Sequence, residues 1–83
     1  MLKFYLDTVQ YNKEAKAENR SQTKMFTSKE KAEAEFYKQV GADMNNEKLG
    51  GSVNIVYNSD GVIYADLVKK WGFMSEDEKP IEG

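Results

Sequence analysis

Apolar and polar positions alternate along residues 2–11. Leu2, Phe4, Leu6 and Thr8 fall on one side of an extended chain, and Lys3, Tyr5, Asp7, Val9 and Tyr11 on the other. A period of two with aromatic and β-branched content predicts a strand, with Leu2, Phe4 and Leu6 as its core face. Residues 12–20 carry charge but no apolar period and read as a mobile loop, their Ala, Glu and Lys content also suiting a short helical turn. Residues 21–26 read as a second strand returning beside the first. Thr27-Ser28-Lys29-Glu30 fits a capping box, in which a hydroxyl and a carboxylate three residues on each satisfy a free backbone N–H. The helix it opens is expected to run to Glu47 or Lys48. Ala32, Phe36, Val40 and Met44 recur every four residues, with Tyr37 beside them, and make one apolar stripe. Lys29, Glu33, Glu35, Lys38, Gln39 and Asp43 occupy the rest of its surface. Gly41 lies inside the helix at a cost of ~1 kcal/mol relative to alanine, either for close approach to a sheet or by simple tolerance. Gly50 and Gly51 supply the left-handed residues that end helices.

Residues 52–57 predict a strand. Asn58-Ser59-Asp60-Gly61 suits a type I turn followed by a left-handed glycine, the mark of a bulged hairpin. Val62-Ile63-Tyr64-Ala65 would return, and residues 66–73 suit either an extension of that strand or a short helix. Residues 75–83 form an acidic tail expected to be disordered beyond a domain of residues 1–74. The order strand, strand, helix, strand, strand predicts an α+β fold: an antiparallel sheet of about four strands (β-β-α-β-β) with one helix packed on one face. Its core would be Leu2, Phe4, Leu6, Phe36, Val40, Met44, Val56 and Ile63. Trp71 and Phe73 would plug the end of the sheet.

The expected hairpin register pairs Tyr57 with Val62, Ile55 with Tyr64 and Val53 with Asp66 on one face. Val56 then pairs with Ile63, and Asn54 with Ala65, on the other. Both faces carry apolar groups, and one helix covers only one of them. The uncovered face of the first strand would show Tyr5, Val9 and Tyr11; whether Tyr57 and Tyr64 join them depends on strand order. An uncovered apolar face on a small domain marks an interaction surface, and tyrosine offers large contact area at low entropy cost. The expected partner is a protein or a second copy of the chain, taken on this face or by strand addition at a sheet edge. A structural homodimer is one alternative. Single-stranded nucleic acid is another, through Tyr5, Tyr11, Tyr57, Tyr64 and Trp71 with Lys3, Lys13, Lys16, Arg20, Lys24, Lys69 and Lys70.

Composition narrows the chemistry. Eighty-three residues support one domain and one core. A net charge of −2 argues against backbone-led nucleic-acid binding. The chain has no cysteine and no histidine. That excludes disulfide staples, thiolate nucleophiles, Cys-based zinc sites and iron–sulfur clusters, and removes the usual general base near neutral pH. Carboxylates remain, as in Glu30 with Glu33 or Asp43 with Glu47, but they lie among lysines as a solvated helix face would. The expectation is therefore a non-enzyme with no cofactor or metal. Asp7 breaks the N-terminal apolar run too early for a signal peptide, and no stretch approaches the ~20 apolar residues of a membrane span. A cytoplasmic protein is expected, and the sequon Asn19-Arg20-Ser21 then has no role.

Phe4-Tyr5-Leu6-Asp7-Thr8-Val9-Gln10-Tyr11, the single helix with Phe36-Tyr37, and the Val56-Tyr57-Asn58-Ser59-Asp60-Gly61 hairpin together resemble small uncharacterised α+β proteins encoded by phages and mobile elements of gut and Gram-positive bacteria. The resemblance covers residues 2–65. It implies an accessory protein that binds a host or phage protein, and it brings no catalytic motif.

Overall fold

A computed structural model describes residues 1–20 and 23–72. Five strands and one helix follow in the order β1 (Phe4–Asn12), β2 (Ala17–Arg20), β3 (Lys24–Phe26), α1 (Lys29–Met44), β4 (Leu49–Asn58) and β5 (Ile63–Gly72). The sheet is antiparallel, with spatial order β2-β1-β4-β5 and β3 also beside β1. β2 pairs with Val9–Asn12 and β3 with Phe4–Leu6, so the two short strands share one edge of β1. The fold is α+β, with the helix packed on one face.

The charged segment 12–20 is a hairpin rather than a loop. Asn12 Oδ1 accepts from the backbone N–H groups of Glu14 and Ala15, each at 2.9 Å. Lys16 takes a left-handed φ of 54°, and Ala17–Arg20 then pairs back on β1. Main-chain pairing at an edge needs no apolar period, which is why the side-chain pattern is silent here. The predicted strand 21–26 is realised as Lys24–Phe26, with residues 21 and 22 outside the described residues.

The helix begins one residue later than the capping box implies. Ser28, not Thr27, is the N-cap, and its hydroxyl accepts from Lys31 N–H at 3.2 Å. The third helical residue is therefore a lysine, and no carboxylate reciprocates. The helix ends at Met44, short of Glu47, where the N–H of Asn45 bonds the Gly41 carbonyl at 3.1 Å. Gly50 and Gly51 lie inside β4 rather than ending the helix. A Cβ on Gly50 would stand 2.9 Å from the Tyr11 ring, at the point where the β1–β4 register shifts. Gly41 has open space where a Cβ would sit, so close approach does not explain it.

The turn forms as predicted, but its register is offset by one residue. Gly61 N–H bonds the Asn58 carbonyl at 2.9 Å with Gly61 at φ +83°, and Asn58 N–H bonds the Val62 carbonyl at 3.0 Å. The three-residue loop closes Asn58 on Val62, so Tyr57 pairs with Ile63 and not Val62. A one-residue slip exchanges the two faces of a strand. Ile63 therefore leaves the core and is 57% exposed, while Tyr64 turns to the helix side. A second irregularity, between Ile55 and Tyr57, shifts the register again to Ile55–Val68 and Asn54–Lys69. It puts Leu67 in the core, fully buried. Residues 66–72 are strand; Phe73 and the acidic tail lie outside the described residues.

The core is Leu6, Ala32, Phe36, Val56 and Leu67, flanked by Phe4, Phe26, Val40 and Tyr64. Burial of each large apolar member contributes about 1.5–3 kcal/mol. Leu2 precedes the sheet and is exposed, as is Met44 at the helix end. In place of Met44, the helix buries Asp43. Lys24 on β3 and Glu35 on α1 pair at 2.8 Å and tie the edge to the helix. That hydrogen bond, with the Lys24 charge, holds the Glu35 carboxyl below its ordinary range despite some desolvation.

Candidate functional site: the uncovered sheet face

Alternation puts Phe4, Leu6, Thr8 and Gln10 of β1 under the helix, and Tyr5, Asp7, Val9 and Tyr11 on the opposite face. Residues directly opposite in antiparallel strands share a face, so the register fixes the neighbours of each. Met25, Tyr5, Tyr57 and Ile63 form one row across four strands. Asp7, Ile55 and Val68 form the next, followed by Val9, Val53 and Lys70. Glu18, Tyr11, Gly51 and Gly72 complete the face. Met25, Ile63 and Val68 are exposed at 53%, 57% and 41%. Tyr5, Val9, Tyr11, Val53, Ile55 and Tyr57 are half-buried, each against its neighbours in the sheet.

Tyr5 and Tyr57 stack with ring centroids 5.3 Å apart and planes 25° apart. The close pair is worth about 0.5–1.5 kcal/mol beyond its area, and it stiffens the centre of the first row. Thr23 Oγ1 donates to the Asp7 carboxylate beside it. Burial raises the Tyr57 phenol above its ordinary range, and the Asp7 charge and a hydrogen bond to Asp7 raise it further, with a hydrogen bond to Thr23 opposing. Tyr57 thus keeps its proton and presents a neutral, oriented hydroxyl at the edge of an apolar row.

Of the five residues the sequence marks for partner binding, Tyr5, Val9, Tyr11 and Tyr57 gather on this face. Tyr64 does not. It packs on Phe4 at 6.2 Å between ring centroids, accepts from Asn58 Nδ2 at 3.0 Å, and lies beneath Lys29 Nζ at 4.7 Å. Trp71 pairs with Ser52, also on the helix side. A stacking platform on the open face would therefore hold three tyrosines rather than five aromatics, and Lys24 is already engaged by Glu35. Sequence reasoning missed Met25, Ile63 and Val68. Ile63 was hidden by the one-residue register offset, Val68 by the bulge, and Met25 by the absence of a strand order.

The polar chemistry lies on the covered face. The Asp43 carboxylate, 1% exposed, accepts from Gln10 Nε2 at 2.7 Å, Gln39 Nε2 at 2.8 Å and Asn54 Nδ2 at 2.9 Å. Thr8 Oγ1 donates to Asn54 Oδ1 at 2.6 Å. All five groups are linked to one another between helix and sheet, which is the arrangement of a structural clasp. Asp43 is thus not part of a solvated helix face, as its spacing from Glu47 suggests. Among the described residues, no group of three or more acidic side chains converges as a metal site would require. Among the same residues, no helix is long and apolar enough to cross a membrane. No protein-family model, curated protein or solved structure matches the chain.

Proposed function

We propose that the chain is a non-enzymatic protein-interaction domain that takes a protein partner on its uncovered sheet face. The observation that supports this is the row Met25, Tyr5, Tyr57, Ile63 with Ile55 and Val68 behind it, an apolar, tyrosine-bearing surface that α1 and the other described residues leave open. Its make-up matches the centre of protein interfaces, which are rich in tyrosine, methionine and aliphatic groups and poor in charge. The stacked Tyr5–Tyr57 pair is ordered before any partner arrives, so little side-chain entropy is lost on contact. A cysteine-free chain suits the reducing cytoplasm, where we place this encounter. The resemblance to phage and mobile-element accessory proteins favours a host or phage protein as the target.

The test is affinity capture from host cells, followed by reconstitution with the purified partner. Comparison is between wild type, Tyr5→Ala/Tyr11→Ala on the open face, and Tyr37→Ala on the exposed helix surface. Loss of more than tenfold in affinity for the open-face pair, with Tyr37→Ala unchanged, is the expected result. Equal binding by all three, with folding confirmed by circular dichroism, removes the open face as the site.

A further inference from the structure

We infer that the partner of the open face seats an arginine on Asp7, so that the surface recognised is apolar with a basic side chain among its apolar groups. The inference rests on the open-face reading and names the chemistry of that partner. β1 pairs with β4 without interruption from Phe4 to Tyr11, so alternation settles the face of Asp7. Ile55 stands directly opposite it, Tyr5 and Val9 lie two residues away on its own strand, and Tyr57 and Val53 lie on the diagonals. A carboxylate thus sits inside the apolar rows. It accepts from Thr23 Oγ1, but a neutral hydroxyl does not cancel a charge. Among the described residues, no side chain forms an ion pair with it. Burial and then the Asp7 charge raise the Tyr57 phenol, so the carboxylate stands close enough to act on that ring.

Desolvation decides what can cover this position. Asp7 is half-buried and still meets water. A partner that covers the rows takes that water away. Covering a carboxylate without a counter-charge is the costly outcome, so a purely apolar surface fits the face poorly. A neutral donor would bond the carboxylate and leave its charge in place. A basic side chain supplies what is missing. Arginine suits the position better than lysine on two counts. Its guanidinium is weakly hydrated and forks onto a carboxylate. It also stacks on aromatic faces, and the Tyr5–Tyr57 pair, 5.3 Å between centroids, stands in the row beside Asp7. The apolar rows then supply contact area, and Asp7 selects among the surfaces that could use it.

The probe is a random peptide library displayed on phage and panned against the immobilised chain. Peptides that lose binding to Tyr5→Ala/Tyr11→Ala are assigned to the open face. These are expected to carry arginine beside apolar residues at several-fold its frequency in the library. A synthetic copy of the leading peptide should bind Asp7→Asn at least tenfold more weakly than wild type, although asparagine can still accept from Thr23. Its affinity should fall several-fold between low and high salt. Changing the peptide's arginine to glutamate should abolish binding to wild type and restore it to Asp7→Arg. Circular dichroism confirms that each variant is folded. Open-face peptides without basic enrichment, or peptides that bind Asp7→Asn as tightly as wild type, overturn the inference and leave the open face standing as a site. A selection in which every binder is indifferent to Tyr5→Ala/Tyr11→Ala overturns both.

Discussion

Replacing Asp43 with alanine tests whether the clasp between helix and sheet holds the two layers in place. The carboxylate accepts three N–H···O bonds at 2.7–2.9 Å and is almost wholly buried. Bonds to a charged acceptor are worth about 1.5–3 kcal/mol each. Gln10 and Gln39 are only partly buried, so after the substitution their amides turn to water at little cost. Asn54 is fully buried, and its Nδ2 is left with no acceptor, a penalty of about 1–3 kcal/mol. Relief from burying an ionised group offsets part of the loss. The net destabilisation is about 3 kcal/mol, against the roughly 4–12 kcal/mol that a chain of this length commands. The expected readout is a midpoint lowered by roughly 10–20 °C in thermal unfolding, with a matching shift in urea. Asn54→Ala removes the orphaned donor. The double variant Asp43→Ala/Asn54→Ala should therefore cost less than the sum of the two singles by about 1 kcal/mol or more. Asp43→Ala within about 0.5 kcal/mol of wild type, or strictly additive singles, would refute the claim that the clasp is an energetic unit.

Gly41→Ala should stabilise the chain by about 0.5–1 kcal/mol in urea unfolding, since the added methyl meets nothing within 4 Å and the helix gains propensity; a loss of stability would mean that the position is not the open one described. The Tyr57 phenol should titrate above the ordinary tyrosine range in an ultraviolet difference titration, and Asp7→Asn should bring it down. Because its folded value is raised, the linked stability is complete below the unfolded value of about 10 and fades as pH climbs through the folded one. An unchanged titration in Asp7→Asn would assign the shift to burial alone.

The fold class was legible because it rests on pattern. Leu2-Lys3-Phe4-Tyr5-Leu6 alternates, Ala32-Phe36-Val40 repeats at helical spacing, and Gly61 sits where a left-handed residue is needed. What remained hidden depends on pairing between segments. The edge hairpin of residues 12–20 is held by backbone bonds that no side-chain period reports. The offset at Asn58–Val62 is a single residue, yet it exchanges Ile63 with Tyr64 between core and surface. Asp43 reads as a surface carboxylate in any helical projection. Its burial follows from Gln10 and Asn54 standing opposite it on two strands, a coincidence that one helix cannot announce. The shared face of Tyr5, Val9 and Tyr11 was legible because they lie on one strand, where parity alone decides the face.

The distribution of apolar residues between the two faces bears on function more than any single contact does. Leu6, Val56 and Leu67 fill the strand side of the core, and α1, sixteen residues and so about 24 Å long, covers only that side. Val9, Val53, Ile55, Ile63 and Val68 stand on the other side with two stacked tyrosines. Threonine, lysine or glutamate at those positions would keep the strands paired while raising solubility, because strand propensity is satisfied by threonine as well as by valine. Lys69 and Lys70 show that charge is tolerated in the adjoining strand. Among the described residues no second layer covers this apolar face, and such a face carries a standing tendency to associate. Ile63 and Val68 are exposed and Val9, Val53 and Ile55 half-buried, so each could turn polar without touching the core.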